Sequence, residues 1–105
     1  MIRHSVFVRF KSSVGKTERQ SIFAEIAALK GRLPGLLAVY IGQNVSPETG
    51  MDKGYSEGFM VDFTDAAASE IYQNDLAHKA TGAKIVAAAE GGLAGILVFD
   101  LVVAG

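Results

Sequence analysis

The chain has 105 residues, 50% of them hydrophobic and 20% charged, with a mean hydropathy of +0.28. That length supplies one core, and that composition is too apolar for disorder and too interrupted by charge for a membrane protein. Ten Lys and Arg against eleven Asp and Glu leave a formal charge of -1, which argues against nucleic-acid and anionic-membrane partners, and the absence of cysteine excludes disulfides, thiolate nucleophiles and cysteine-held clusters. The expectation is one soluble, cytoplasmic domain over 1–105 with no leader peptide, since Met1-Ile2-Arg3-His4 opens on alternation and lacks a continuous apolar run.

Charge is uneven along the chain. Residues 1–32 carry seven basic and two acidic side chains, and residues 33–105 carry three basic and nine acidic. The basic residues are spread over a strand pattern and a helix pattern, so the expected use of this asymmetry is internal pairing.

From Ile2 to Lys11 the residues alternate, with Ile2, His4, Val6, Val8 and Phe10 on one face, as a strand of period two requires. Thr17 to Gln20 fits a capping box opening a helix whose apolar stripe is Ile22, Phe23, Ile26 and Leu29 or Leu33. Pro34-Gly35 stops it. A second strand, Leu36 to Gln43, leads through the turn-rich Ser46 to Gly54, expected to be a mobile loop, into a third, Tyr55 to Phe63. Thr64 or Asp65 can cap a short helix, and Asn74-Asp75 breaks it before a second piece from Leu76 to Ala89. Gly82 inside that piece costs about 1 kcal/mol against alanine, so it depends on packing. After Gly91-Gly92 a fourth strand runs from Ile96 to Val103. The order β-α-β-β-α-β, with the second helix in two, predicts an α+β, ferredoxin-like domain on a four-stranded antiparallel sheet.

The helices of such a domain cover one face of the sheet, yet both alternating sets of Ile96 to Val103 are apolar except for Asp100. The second face therefore calls for a cover, and a second copy of the chain is expected there, against Phe7, Leu97, Phe99 and Leu101.

Several residues in this order resemble a known family: Ile2 to Lys11 with His4, Leu33-Pro34-Gly35, Gly42-Gln43-Asn44-Val45-Ser46, Tyr55 and Phe63, Tyr72 with Ala77-His78, and Phe99-Asp100. Together they look like the stress-responsive A/B barrel (Dabb) family over nearly the whole chain. The resemblance implies a dimeric α/β barrel. It also implies a His supported by a Tyr, as in a plant polyketide cyclase of this fold, at the positions of His78 and Tyr72. Where that cyclase pattern has a further tyrosine and histidine, this chain has Ile26 and Glu57.

The resemblance also implies a pocket between sheet and helices, whose expected lining here is His4, Val6, Val8, Phe23, Ile26, Glu57, Phe59, Ile96 and Val98. His78 falls in the first turn of the last helical piece, where the helix dipole keeps an imidazole neutral and able to act as a base; Tyr72 can fold back across the break to orient it or to donate to an oxyanion. The packing alternative is a Tyr-His contact that fixes the break. His4, likewise, is either a satisfied inward histidine or a proton carrier. Asp100 can answer a basic group or cap a helix. Glu57 reads as a rim residue and, if buried, as a base; antiparallel pairing of the first and third strands puts it at the opposite end from His4. A metal set of His4, His78 and Glu57 has suitable ligand types without motif spacing, so no metal and no cofactor are expected. No phosphate loop, serine nucleophile motif or tryptophan occurs. The functional expectation is a small carbonyl or aromatic ligand, with cofactor-independent cyclase-, lyase- or isomerase-like proton transfer if the protein is an enzyme. The alternative is a non-catalytic stress or scaffold protein.

Overall fold

In the computed structural model, which describes residues 1–104, strands β1 (Ile2–Val8), β2 (Leu36–Gln43), β3 (Glu57–Phe63) and β4 (Ile96–Val102) form one antiparallel sheet in the order β2-β3-β1-β4. Helix α1 (Lys16–Ala27) connects β1 to β2, while α2 (Ala66–Asn74), α3 (Leu76–Ala88) and a 3₁₀ turn (Gly92–Gly95) connect β3 to β4. This is the ferredoxin-like order with its second helix in two pieces.

Alternation decides which side chains meet. Val6, Val8, Phe59, Val61 and Phe63 face the helices and pack with Ile22, Phe23, Ile26, Leu29, Tyr72 and Ile85 in one core. Burying each large apolar side chain contributes about 1.5–3 kcal/mol, so this interdigitated set is what holds helices to sheet. Helix α1 lies beside α3, and α2 sits over β2 and β3.

Helix starts and stops follow from side-chain acceptors. Asp65 accepts from the Ala68 backbone N–H (2.9 Å) and Asp75 from that of His78 (3.0 Å), so each helical piece of the pair has its own carboxylate cap. Asp75 has ψ 131°, extended backbone that breaks the helix between them. The expected Thr17 capping box is not formed. Helix α1 begins at Lys16 after Gly15, which provides no side-chain cap, and Thr17 lies already inside the first turn.

The strand ends also differ from the sequence pattern. β1 stops at Val8 because the chain leaves its neighbours: Arg9 N–H donates to Gly95 O (2.8 Å), Glu90 N–H donates to Arg9 O (2.7 Å), and Phe10 keeps only an isolated bridge to Ala89. Tyr55 and Ser56 belong to the loop before β3, and β4 ends at Val102.

The charge asymmetry is used internally. Arg3 pairs with Asp62 (2.8 Å), Arg19 with Glu57 (2.6 Å) and Arg32 with Asp75 (2.9 Å), each joining the basic N-terminal third to the acidic remainder. No helix among the described residues is long and apolar enough to cross a membrane.

The two faces of the sheet are finished differently. Phe7, Tyr40, Met60, Leu97, Phe99 and Leu101 lie on the face away from the helices, and Phe99 is 55% exposed there. Within that face Arg3 clasps Asp62 through two hydrogen bonds (2.8 and 3.0 Å), and this contact holds the carboxyl below its usual range. On the helix side, the cover does not reach β4: Val98 is 56% and Val102 87% exposed, although both point the same way as the buried residues of β1 and β3.

Candidate functional site

Four polar side chains converge on the helix side of the sheet. His4 on β1 lies across from Asp100 on β4, and its Nδ1 is 2.7 Å from Asp100 Oδ1. The carboxylate accepts, so Nδ1 is the nitrogen that donates in this pair. Tyr72 comes from the last part of α2 and His78 from the first turn of α3. The break at Asp75 folds the two rings together, with centroids 3.9 Å apart and planes at 35°. The Tyr72 ring is also edge-on to His4 (5.6 Å) and Phe63 (5.0 Å).

The electrostatics follow from burial. Tyr72 is 1% exposed, and its hydroxyl has no hydrogen-bond partner among the described residues. Desolvation pushes its pKa far up, so it is a neutral donor and never a phenolate. His78 is half-buried, and its Nδ1 also lacks a partner. Burial and the neighbouring His4 hold its pKa below the ordinary imidazole value, with the nearby Asp75 and the backbone at Gln73 and Tyr72 partly offsetting them. The ring is therefore neutral at neutral pH. A buried polar atom without a partner costs about 1–3 kcal/mol, so two such orphans on neighbouring rings call for an explanation in function.

The sequence expectations sort themselves around this cluster. Tyr72 and His78 do come together, but as tilted rings in contact with no side-chain hydrogen bond between them. The antiparallel register places His4 opposite Val61 and Glu57 opposite Val8, so His4 and Glu57 lie at opposite ends. Glu57 is bound to Arg19, a role that alternation alone does not reveal. No group of three or more His, Asp or Glu positioned for a metal occurs among the described residues. Val6, Val8, Phe23, Ile26 and Phe59, expected to line a pocket, are buried in the core between sheet and helices, and Phe59 also borders a cavity at the sheet. Ile96 is partly buried against that core, and Val98 stands in the uncovered strip of β4.

The pairing of Asp100 with His4 was legible in principle, because both fall on the inward set of strands that lie side by side. The role of Arg9 carried no such signal. It stacks on Tyr55 (5.0 Å) and donates to the carbonyls of Lys53 (3.3 Å) and Ala94 (2.9 Å), tying two loops that are distant in sequence.

Residues 2–103 match the model of the stress responsive A/B barrel domain. The chain belongs to the stress-responsive A/B barrel domain family. Among solved structures it is similar to a dimeric ferredoxin-like protein of unknown function from Jannaschia sp. CCS1, at 31% identity and TM-score 0.90 over 97% of this chain and 98% of that one. A protein from Arabidopsis thaliana shares the fold at 21% identity and TM-score 0.86, covering 100% of this chain and 97% of that one. A hydroxynitrile lyase from Passiflora edulis shares it at 19% identity and TM-score 0.83, covering 98% and 93%. No curated protein matches the sequence. The ferredoxin-like fold expected of this stress-responsive A/B barrel chain is thus present, with dimeric proteins among its structural neighbours.

Proposed function

We propose that this A/B barrel protein binds a small, partly apolar carbonyl or aromatic metabolite beside Tyr72 and His78 and moves a proton on it without a cofactor. The observation that carries this reading is the pair of buried, unpartnered polar atoms, Tyr72 Oη and His78 Nδ1, on two rings in contact beside the His4–Asp100 pair. Orphaned donors and acceptors in an apolar shell are what a ligand's own polar groups satisfy. Neutral His78 is the base. It takes a proton from the carbon next to a carbonyl, the electron pair left behind passes to the carbonyl oxygen, and the Tyr72 O–H donates to that oxygen. His4, oriented by Asp100, stands beside Tyr72 as the second proton-carrying ring. Val98 and Asp100 are exposed on the uncovered strip of β4, and this is the side from which the proposed ligand would enter.

The assembly we propose is a homodimer through the outer face, where Phe7, Leu97, Phe99 and Leu101 form an apolar surface too continuous to be left in water. A cytoplasmic setting accords with the cysteine-free chain. One observation favours a non-catalytic alternative: the Tyr72 ring is enclosed by Phe63, His4 and His78, as a purely structural tyrosine would be.

A thermal-stabilisation screen with carbonyl and aromatic metabolites separates the two. A ligand at a hundred times its dissociation constant adds about 2.7 kcal/mol to the wild type. We expect a stabilising compound whose effect is lost in His78→Ala. A compound that stabilises both proteins equally binds elsewhere, and a library without hits leaves the structural alternative standing.

A further inference from the structure

A second feature lies on the opposite side of the sheet from Tyr72 and His78. A cavity of about 490 Å³ opens on the outer face under the loop between β2 and β3. Phe7, Tyr40, Met51, Tyr55, Met60 and Leu97 give it an apolar, sulfur- and ring-rich wall, with Asn44, Asp52 and Ser56 among its polar lining. That volume lies within the ordinary range for small-molecule sites, and methionine beside aromatic rings suits flat apolar ligands.

Two glycines make the space. Gly42 and Gly58 are register partners on neighbouring strands, both on the outer face, so the floor has no side chains where a pair of them would otherwise stand. They are glycines for different reasons. A Cβ on Gly58 would run into Val6 O and come within 2.7 Å of Phe7 Cδ1, so close packing of the sheet requires that glycine. A Cβ on Gly42 would meet nothing within 4 Å. The fold does not need Gly42 to be bare, but the cavity does.

The roof is built as well. Asn44 Nδ2 donates to Asp52 Oδ2 (3.0 Å), Ser46 N–H to Asn44 Oδ1 (2.9 Å) and Gly54 N–H to Asp52 Oδ1 (2.9 Å), which organises the loop that the sequence alone marks as mobile. Arg9 then fixes its returning end by stacking on Tyr55 and donating to Lys53 O.

The cavity is continuous with the apolar face on which the dimer reading rests, since Phe7 and Leu97 belong to both. We propose that a second copy of this chain closes the cavity into a chamber between subunits, and that the chamber binds a small, uncharged, largely aromatic molecule. The proposal rests on the homodimer part of the reading above and is independent of His78. Binding in such a chamber is linked to association, so the ligand tightens the dimer and the dimer tightens the ligand.

The test uses the neutral fluorophore N-phenyl-1-naphthylamine, titrated into the full-length protein while light scattering records the mass. The expected result is saturable binding by a wild-type dimer, weakened in Gly42→Ala and weakened at least about tenfold in Gly42→Leu, whose side chain occupies the space, with the dimer mass kept in both variants. Equal binding by wild type and Gly42→Leu, or a wild-type dimer with no saturable binding, overturns the chamber while leaving the dimer reading intact. A wild-type monomer overturns both. Dissociation of Gly42→Leu shows that the partner's side chains fill the space, which also overturns it.

Discussion

The two sides of the sheet divide between them what a binding site needs. On the helix side, Tyr72, His78, His4 and Asp100 bring donors, acceptors and a neutral imidazole together, but the walls around them are packed core. On the outer side there is a formed cavity with an organised roof, yet the rings and sulfurs that line it offer recognition and no proton chemistry. The difference arises from cover. Helices seal the inner face over β1 and β3, so Tyr72 and His78 lose water there and burial displaces their pKa values. The outer face has no layer of its own, so space there stays open.

Breaking the outer side should give the largest effect. Phe99→Asp places an uncompensated charge in the proposed seam, where burying it costs several kcal/mol, so the mass by light scattering should fall to that of a monomer while the circular dichroism of the fold is retained. In a single chain the same residue is more than half exposed and the substitution would be almost silent, so an unchanged mass would remove the seam from this face.

On the inner side, His78→Ala should lower turnover of any substrate found by the stabilisation screen by roughly 10²–10⁴-fold, the usual contribution of a general base. Its melting temperature should stay close to the wild type, since the ring is only half-buried. A large loss of stability with turnover intact would make His78 a packing residue. Tyr72→Phe sharpens the same point with the opposite sign. It keeps the ring and deletes a buried hydroxyl that has no partner, so the ligand-free protein should become more stable by about 1 kcal/mol while ligand-induced stabilisation shrinks. A loss of ligand-free stability would show that the hydroxyl is satisfied.

The smallest effect is in pH. Burial holds His78 below the ordinary value of 6.5, so as pH falls past that value the unfolded chain takes up a proton that the folded chain resists. Stability from this group is complete above about 6.5 and declines below it, and the decline should flatten in His78→Ala. The carboxyls of Asp62, Glu25 and Asp75 are also held below their ordinary values, and they withdraw their share only at lower pH, in a separate window. A melting curve indifferent to His78 between pH 7 and 5 would mean that the ring is well hydrated.

Local pattern determined much of this protein. Alternation in Ile2 to Val8, Leu36 to Gln43, Glu57 to Phe63 and Ile96 to Val102 assigns side chains to faces because a strand leaves no other choice. Asp65 and Asp75 announce the helix starts because a carboxylate one residue before a helix can reach its free N–H groups. The nearness of Tyr72 to His78 follows from the break between them. What stayed hidden depends on pairs remote in sequence. The Arg19–Glu57 and His4–Asp100 contacts need the strand register, and the end of β1 is decided by the backbone of Glu90 and Gly95. The floor of the cavity is bare where Gly42 and Gly58, remote in sequence, become neighbours across two strands under a loop held by Arg9. Periodicity within a segment is a local property of the backbone, whereas the coincidence of two small residues, or of a charge and its partner, is created by the packing of segments that the sequence lists far apart.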